Sequence, residues 1–100
     1  MYALLGRMRA RAGKRDEVID LMTGSTEAMP GCRLYVVGRD AGDDDTICVT
    51  EIWDSKADHE ASLQIPAVRE TIDRAMPMLD LSDAQQFPFE PVGGHGIDFA

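Results

Sequence analysis

Two runs of strand-forming residues close together in the middle of the chain restrict its fold more than any other feature. The first run spans residues 32–39, and its side chains alternate between one set and another, Cys32, Leu34 and Val36 against Arg33, Tyr35 and Val37. The second run, 46–54, is rich in residues with high β propensity. The segment between them, 41–45, is short, acidic and contains a glycine, which is typical of the turn in an antiparallel hairpin. The chain therefore contains an antiparallel sheet.

On the N-terminal side of this hairpin, the pattern indicates one strand and one helix. Residues 2–10 alternate in the manner of a half-buried strand. The side chains that share one side of this strand are Tyr2, Leu4, Gly6 and Met8. A helix over 14–28 follows, and Met29-Pro30-Gly31 ends it because proline cannot continue the hydrogen-bond ladder. The apolar stripe of this helix consists of Val18, Leu21, Met22, Ser25 and Met29.

On the C-terminal side, the pattern indicates two helices and a final strand. Ser55 is placed to cap a helix over 56–64, with Asp58 three positions further on. Pro66 suits the first turn of a second helix. The apolar stripe of that second helix consists of Val68, Ile72, Ala75, Met76 and Leu79. The last strand, 83–91, contains proline, which predicts a sheet edge or a bulge.

The order strand, helix, strand, strand, helix pair, strand is that of the split βαβ motif. We therefore predict a ferredoxin-like α+β fold, βαββαβ, with a four-stranded antiparallel sheet and helices on one face. Both sides of the second and third strands are apolar, so the uncovered face needs a partner. The simplest partner is a second copy, which predicts a homodimer. Residues 1–92 form one domain, and the Gly-rich segment 93–100 is predicted to be a flexible C-terminal tail.

The charge and composition of the chain exclude several classes of partner. Its formal net charge is −8, and an acidic surface repels phosphate, so we expect neither nucleic acid nor a membrane as a partner. No run approaches the length of a transmembrane helix, and the N-terminal apolar run is too short for a signal-peptide core, so we expect a cytoplasmic protein. Cys32 and Cys48 are interpreted as buried thiols in preference to a disulfide. We expect no metal site, because no group of residues has suitable ligand spacing.

Four segments, in their order and spacing, connect this chain to a known family. They are Arg11-Ala12-Gly13-Lys14, Met29-Pro30-Gly31-Cys32, Glu51-Ile52-Trp53-Asp54-Ser55 and the segment from Ser62 to Val68. Together they span about residues 2–90. On these segments the chain resembles the antibiotic biosynthesis monooxygenase superfamily, whose members are small dimeric α+β barrel proteins. The segments are more specific for the fold than for the reaction.

The resemblance implies a monooxygenase that oxidises a quinol or a polycyclic phenol with molecular oxygen and needs no cofactor. Once deprotonated, such a small aromatic substrate can itself reduce dioxygen, so the protein supplies a dry pocket, a base or hydrogen-bond acceptor, and orientation. The resemblance places this pocket between the sheet and the helices of each monomer. It implies catalytic roles for His59, Trp53 and Tyr35. It implies substrate contacts for Gly6, Ser62, Ile72 and Met76.

The chain departs from its relatives at several of these positions. Many quinol-oxygenase-like relatives carry a histidine near the position of Ser62, whereas the nearest histidine here is His59, three residues earlier on the same helix. Haem-degrading relatives use an asparagine, a tryptophan and a histidine at the positions that match Gly6, Ser62 and Ile72. None of these three groups is present, so haem degradation is not expected.

The candidate catalytic residues also have structural interpretations. Trp53 is suited to anchor the core between sheet and helices, Tyr35 is suited to be an ordinary strand residue, and His59 to be a surface or satisfied histidine. The alternative to an enzyme is a non-catalytic small-molecule-binding or structural dimer of the same fold. A pocket filled by its own side chains favours that alternative, and an open apolar cavity with a few polar groups favours an enzyme.

Glu51 is the carboxylate closest to these candidates in sequence. It lies two residues from Trp53 and therefore on the same face of a regular strand. A buried carboxylate needs a partner, and we expect a structural ion pair with Arg7, Arg33 or Arg39 on a neighbouring strand. The competing interpretation is a general base for the phenol.

Overall fold

The predicted order of strands and helices is present in a computed structural model, which describes residues 1–24 and 29–99. In chain order the elements are strand β1 (Tyr2–Ala10), helix α1 (Arg15–Gly24), strands β2 (Cys32–Arg39) and β3 (Thr46–Trp53), helices α2 (Lys56–Ser62) and α3 (Pro66–Ala75), a 3-10 turn (Met76–Met78) and strand β4 (Leu79–Phe89). The four strands form one sheet. The architecture is the predicted ferredoxin-like α+β fold.

The strands lie in the order β2-β3-β1-β4, and every neighbouring pair is antiparallel. β2 and β3 form the predicted hairpin. The register aligns Leu4, Glu51 and Tyr35 in one row across three strands, and Gly6 and Val49 in the next row. Because successive side chains of a strand point to opposite faces, these two rows share one face of the sheet. This is the face that the helices cover, and we call it the inner face.

The hydrophobic core lies between the inner face and helices α1 and α3. Val18 of α1 and Ile47 of β3 are both fully buried. They form one cluster with Ala10, Val49 and Ala75. Apolar side chains buried in this way supply most of the stability of a small domain, because burial removes their surface from water.

Helix α1 differs from its predicted bounds. It begins at Arg15 and its described part ends at Gly24, and the predicted residues 25–28, with Ser25 of the stripe, lie outside the described residues. Leu21 and Met22 pack against the core cluster as the stripe predicted. Met29 follows the helix and does not belong to it.

The last strand starts earlier than predicted. β4 begins at Leu79, ahead of the predicted 83–91, and Leu79, which the stripe assigned to a helix, pairs with Ala10 of β1. The reason is Pro77, which ends the α-helical hydrogen bonding and leaves a 3-10 turn, so the chain reverses at once. β4 is an edge strand with a register irregularity against β1, as its proline predicted.

The acidic turn between β2 and β3 is bonded to neighbouring elements. Asp40 accepts hydrogen bonds from the backbone amides of Gly42 and Asp43, both at 3.0 Å, and it pairs with the Arg7 guanidinium of β1 at 3.0 Å. Arg15 of α1 donates to the backbone oxygen of Asp43 at 2.7 Å. These bonds hold the hairpin against β1 and α1.

The outer face of the sheet, opposite the helices, carries exposed apolar side chains. Val36, Leu5 and Phe87 are 54%, 44% and 53% exposed. The register places them in one row, with Thr50 between Val36 and Leu5. This row of four residues is called the outer row below.

Residues 90–99, which follow β4, lie outside helices and strands. The backbone oxygen of Asp98 in this segment accepts a hydrogen bond from Arg33 of β2 at 2.6 Å. Among the described residues, the helices are too short or too polar for any of them to cross a membrane.

Candidate active site

A cavity of about 650 Å³ lies between the inner face of the sheet and the helices. Its volume is in the range of about 300–1,000 Å³ that is typical of small-molecule sites. The walls are mainly apolar, and they come from all four strands and from α1, α2 and α3. The cavity is open space, so the pocket is not filled by its own side chains.

Six of the seven candidate residues line this cavity, and one does not. Those that line it are Gly6, Tyr35, Trp53, His59, Ser62 and Ile72. Met76 is absent from the lining and is 47% exposed, so this cavity does not support its predicted contact with substrate. α3 ends at Ala75, and Met76 begins the 3-10 turn that follows it.

The polar groups of the cavity include a cluster of three side chains that we call the acid–base cluster. It consists of Glu51, Trp53 and His59. Trp53 Nε1 donates to Glu51 Oε1 at 3.2 Å, and the same oxygen lies 3.9 Å from His59 Nε2. The Glu51 and His59 side chains are only 16% and 15% exposed. At 3.9 Å the carboxylate and the imidazole are too far apart for a direct hydrogen bond but close enough to interact electrostatically.

Local sequence explains how the acid–base cluster forms. Glu51 and Trp53 are two residues apart on β3, so both point to the inner face. Ser55 then caps α2 by accepting a hydrogen bond from the Asp58 amide at 3.1 Å, which starts the helix directly after the strand. His59 therefore sits one turn into α2, with its ring 5.5 Å from that of Trp53 in an edge-on arrangement.

The expected ion pair between Glu51 and an arginine is wrong. Each of the three candidate arginines pairs with a different carboxylate, Arg7 with Asp40, Arg33 with Asp54 and Arg39 with Asp16. Arg7 could not reach Glu51, because the register puts Leu4 opposite Glu51. Arg7 lies three residues after Leu4 on β1, so its side chain points to the opposite face of the sheet. Glu51 instead has the Trp53 indole as its donor and His59 as its neighbour.

Tyr35 lies directly across from Glu51 on β2. Burial, and to a smaller extent the charges of Glu51 and Cys32, together raise the pKa of its hydroxyl from 10.0 to about 12. The hydroxyl therefore keeps its proton at any physiological pH. In the cavity it can act as a hydrogen-bond donor and not as a base.

Ser62, near the position where the resemblance implies a histidine in many relatives, is 4% exposed. Its hydroxyl donates to the backbone oxygen of His59 at 2.6 Å. A hydroxyl has one proton and two lone pairs, so Ser62 is left to accept a hydrogen bond from a ligand and cannot replace the missing imidazole as a base of similar strength.

Sequence reasoning missed several lining residues. From β4 it missed Gln85 and Gln86, and from α3 it missed Val68 and Thr71. The signal for Gln86 was weak, because a strand with prolines and a bulge gives no clear alternation from which to assign its faces. Val68 belongs to the predicted α3 stripe, so its position was available, but a stripe does not distinguish a cavity wall from packed core.

Within the described residues, no three His, Cys, Asp or Glu side chains are grouped as a metal site would require. Cys32 and Cys48 are both half-buried free thiols. The cavity is therefore best described by its apolar walls, the acid–base cluster and the Tyr35 hydroxyl.

A mainly apolar cavity with a few convergent polar groups defines a small-molecule site of the kind that enzymes use. The family model described as "Antibiotic biosynthesis monooxygenase" matches residues 1–74. The chain belongs to this family, which gives it a function of the monooxygenase type. The comparison with curated proteins gives no match.

Solved structures agree with this assignment. A protein of Chloroflexus aurantiacus J-10-fl, provisionally described as an antibiotic biosynthesis monooxygenase, is 43% identical, with a TM-score of 0.91 over 97% of this chain and 98% of that one. A protein of Deinococcus radiodurans with the same provisional description shares the fold: it is 24% identical, with a TM-score of 0.77 over 98% of this chain and 99% of that one.

A more distant structure shares the fold alone. SnoaB, described as a cofactor-independent oxygenase from Streptomyces nogalater, is 11% identical to this chain. It superposes with a TM-score of 0.75 over 93% of this chain and 94% of its own. The same architecture thus persists at very low sequence identity.

Proposed function

We propose that this protein is a cofactor-independent monooxygenase that oxidises a quinol or a polycyclic phenol with dioxygen. The observation that carries the proposal is the acid–base cluster, which lies in the wall of a mainly apolar cavity of about 650 Å³. An apolar cavity accepts a flat aromatic ring and keeps water out. Family membership and the description of SnoaB as a cofactor-independent oxygenase support the same reaction class.

The proposed reaction needs only a proton acceptor, a substrate and dioxygen. For an anthrone, a base removes a proton from the ring methylene, and the resulting carbanion gives its electrons to dioxygen as a carbon–oxygen bond forms. The peroxide takes up a proton. Loss of the second methylene proton then breaks the oxygen–oxygen bond, which leaves a ketone and releases water. One oxygen atom enters the product and the other leaves as water, so atoms and electrons balance.

Each polar group has a distinct part in this scheme. His59 accepts the substrate proton, because its imidazole lies in the cavity wall and can act as a general base. Glu51, 3.9 Å away, stabilises the imidazolium that forms, and Trp53 holds Glu51 in place through its indole N–H. Tyr35, which keeps its proton, donates to the oxyanion that develops on the ring oxygen.

Oxygen uptake tests the proposal directly. The protein is incubated with a metal chelator and a panel that contains hydroquinone, dihydroxynaphthalene and dihydroxyanthrone, and the rate of autoxidation without protein is subtracted. We expect turnover above this baseline, and we expect His59→Gln to lower kcat by about 100-fold or more, the usual size of a lost general base. His95→Gln, which alters the other histidine of the chain, is the matched control and should retain full activity.

The role of Glu51 is tested by separating kcat from KM. Glu51→Gln should lower kcat while KM stays within about twofold, because the charge stabilises the proton transfer and not the bound ground state. No turnover across the panel, or full activity of His59→Gln, would count against the proposal. Binding without turnover would identify the non-catalytic binding protein of the same fold.

The homodimer is a further part of the proposal, and it rests on the outer row. Its apolar members, Val36, Leu5 and Phe87, are each more than 40% exposed and would be buried if a second copy packed sheet to sheet. Sedimentation should give about twice the chain mass of 11.0 kDa. Phe87→Glu should give the monomer mass, and Met76→Glu, which alters an equally exposed residue on the helix side, should leave the dimer mass unchanged. A wild-type monomer would refute this part.

A further inference from the structure

The inward-facing row of β1 has one position without a side chain. The residues of this row are Tyr2, Leu4, Gly6 and Met8, and Leu4 is 2% exposed in the core. Gly6 lies on a central strand, with Val49 of β3 on one side and Gln86 of β4 on the other. It therefore occupies the middle of the inner face, where a side chain would ordinarily pack.

The space above Gly6 belongs to the cavity and not to the packed core. A Cβ atom built at Gly6 would have two neighbours within 4 Å, the backbone oxygens of Gln85 and Val49, both at 3.9 Å. No side chain of the described residues comes as close. Gly6 is also not one of the glycines with positive φ, so its backbone does not require glycine. The missing side chain thus leaves open floor in the cavity.

The distance between this open floor and the acid–base cluster determines how many fused rings a ligand needs in order to contact both. Glu51 pairs with Leu4, and Gly6 is two residues further along β1. With a rise of about 3.4 Å per residue and a strand spacing of about 4.8 Å, Gly6 lies roughly 8 Å from Glu51 across the sheet. A single ring held beside Glu51 is too short to cover this distance, whereas a linear fused-ring system covers it.

We propose that Gly6 is a specificity-determining residue, whose lack of a side chain admits the second and third rings of a fused-ring phenol and so makes such compounds better ligands than single-ring quinols. The proposal rests on the proposed function for its prediction about turnover. Its prediction about binding stands independently of turnover.

Gly6→Ala is a clean perturbation of this floor. The added methyl group meets only ordinary van der Waals contacts, so the fold should accept it with an unchanged Tm. Gly38→Ala is the matched control, because Gly38 is also a strand glycine with open space at its Cβ position. Gly38 pairs with Cys48, which in turn pairs with Arg7, so it lies on the outer face and away from the cavity.

Two measurements are made on wild type and on both variants. The first is kcat/KM with dihydroxyanthrone and with hydroquinone. The second is the binding of dihydroxyanthraquinone without turnover, followed by quenching of Trp53, which lines the cavity and is the one tryptophan of the sequence. We expect Gly6→Ala to weaken binding of the three-ring compound, and to lower its kcat/KM, by about tenfold or more, as one misplaced methyl group can. Hydroquinone turnover should change by less than about twofold.

The outcomes separate this inference from the proposed function. Three results would overturn the role of Gly6. The first is an equal loss of kcat/KM for both substrates in Gly6→Ala. The second is unchanged binding and turnover of the three-ring compound in that variant, and the third is the same loss in Gly38→Ala. If wild type turns over neither substrate and Gly6→Ala still weakens dihydroxyanthraquinone binding selectively, the role of Gly6 in ring selection stands and the proposed function fails.

Discussion

Replacement of Tyr35 by phenylalanine should change how the stability of the protein depends on alkaline pH. In the unfolded chain this hydroxyl loses its proton near its ordinary pKa of 10.0, whereas burial holds the folded pKa at about 12. Below pH 10 both states are protonated, and the favourable contribution is complete. As pH rises from about 10 to 12, the unfolded state gives up a proton that the folded state retains, so the free energy of unfolding falls.

The expected size of this effect follows from the two-unit shift. At about 1.4 kcal/mol per pKa unit the full loss is about 3 kcal/mol, and partial exposure of the ring reduces it to about 1–3 kcal/mol because solvent screens the charge. Wild type should lose this amount between about pH 10 and 12 relative to Tyr35→Phe. About half of the full loss should be present at about pH 11.

Urea unfolding of both proteins at about pH 9 and about pH 11 measures this difference. Tyr2→Phe, which alters the other tyrosine of the chain, corrects for groups that titrate in the same range. Parallel pH dependences for wild type and Tyr35→Phe would refute the reasoning. They would also remove the argument that Tyr35 serves as a hydrogen-bond donor and not as a base.

Two further predictions concern the acidic turn. Arg15→Met removes a guanidinium that donates to the backbone oxygens of Asp43 at 2.7 Å and Thr46 at 3.3 Å, and it should lower the free energy of unfolding, measured in urea, by about 1–3 kcal/mol. The control Lys14→Met breaks an exposed ion pair with Glu17 and should lower it by less than about 1 kcal/mol. Equal losses in the two variants would contradict the role of Arg15 in holding the turn. A hydrogen bond from the backbone amide of Gly42 and, as a smaller cause, the Arg7 guanidinium lower the pKa of Asp40. The Asp40 carboxylate therefore stabilises the folded state at pH values above its unfolded pKa of about 3.9. This contribution is lost as the pH falls through the lower pKa of the folded state. Asp40→Asn should therefore show a smaller drop in Tm between neutral and strongly acidic pH than wild type, and an unchanged drop would show that Asp40 does not contribute.

Local periodicity carried most of the fold prediction. The alternation in β1 and the helix start at Ser55 depend on neighbours within a few residues, and both are confirmed. The alternation in β2 holds from Leu34 onwards, but a register shift between Cys32 and Leu34 puts Cys32 on the opposite face from the one it was predicted to share with Leu34 and Val36. The same kind of signal failed where two tendencies met. At Met76 and Leu79 the helical stripe continued, but Pro77 stopped the helix and the pairing of β4 with β1 decided the outcome.

The polar chemistry of the site was predictable only in part. Trp53 and His59 were named from the family resemblance, and both line the cavity. The partner of Glu51 could not be named correctly, because Arg33 and Arg39 each had a carboxylate nearer at hand in three dimensions, Asp54 and Asp16. Such choices depend on which side chains meet across elements, and a single strand pattern does not contain that information.

The sequence by itself determined the order of the elements, the antiparallel hairpin and the inward direction of Glu51 and Trp53, because these follow from periodicity along one segment. The tertiary structure alone decided that a cavity exists and that Glu51 lies 3.9 Å from His59. A cavity is space left between side chains of several elements, so its volume depends on how those elements pack. The open floor at Gly6 shows the difference, since the sequence contains the glycine and only the packing around it leaves the space empty.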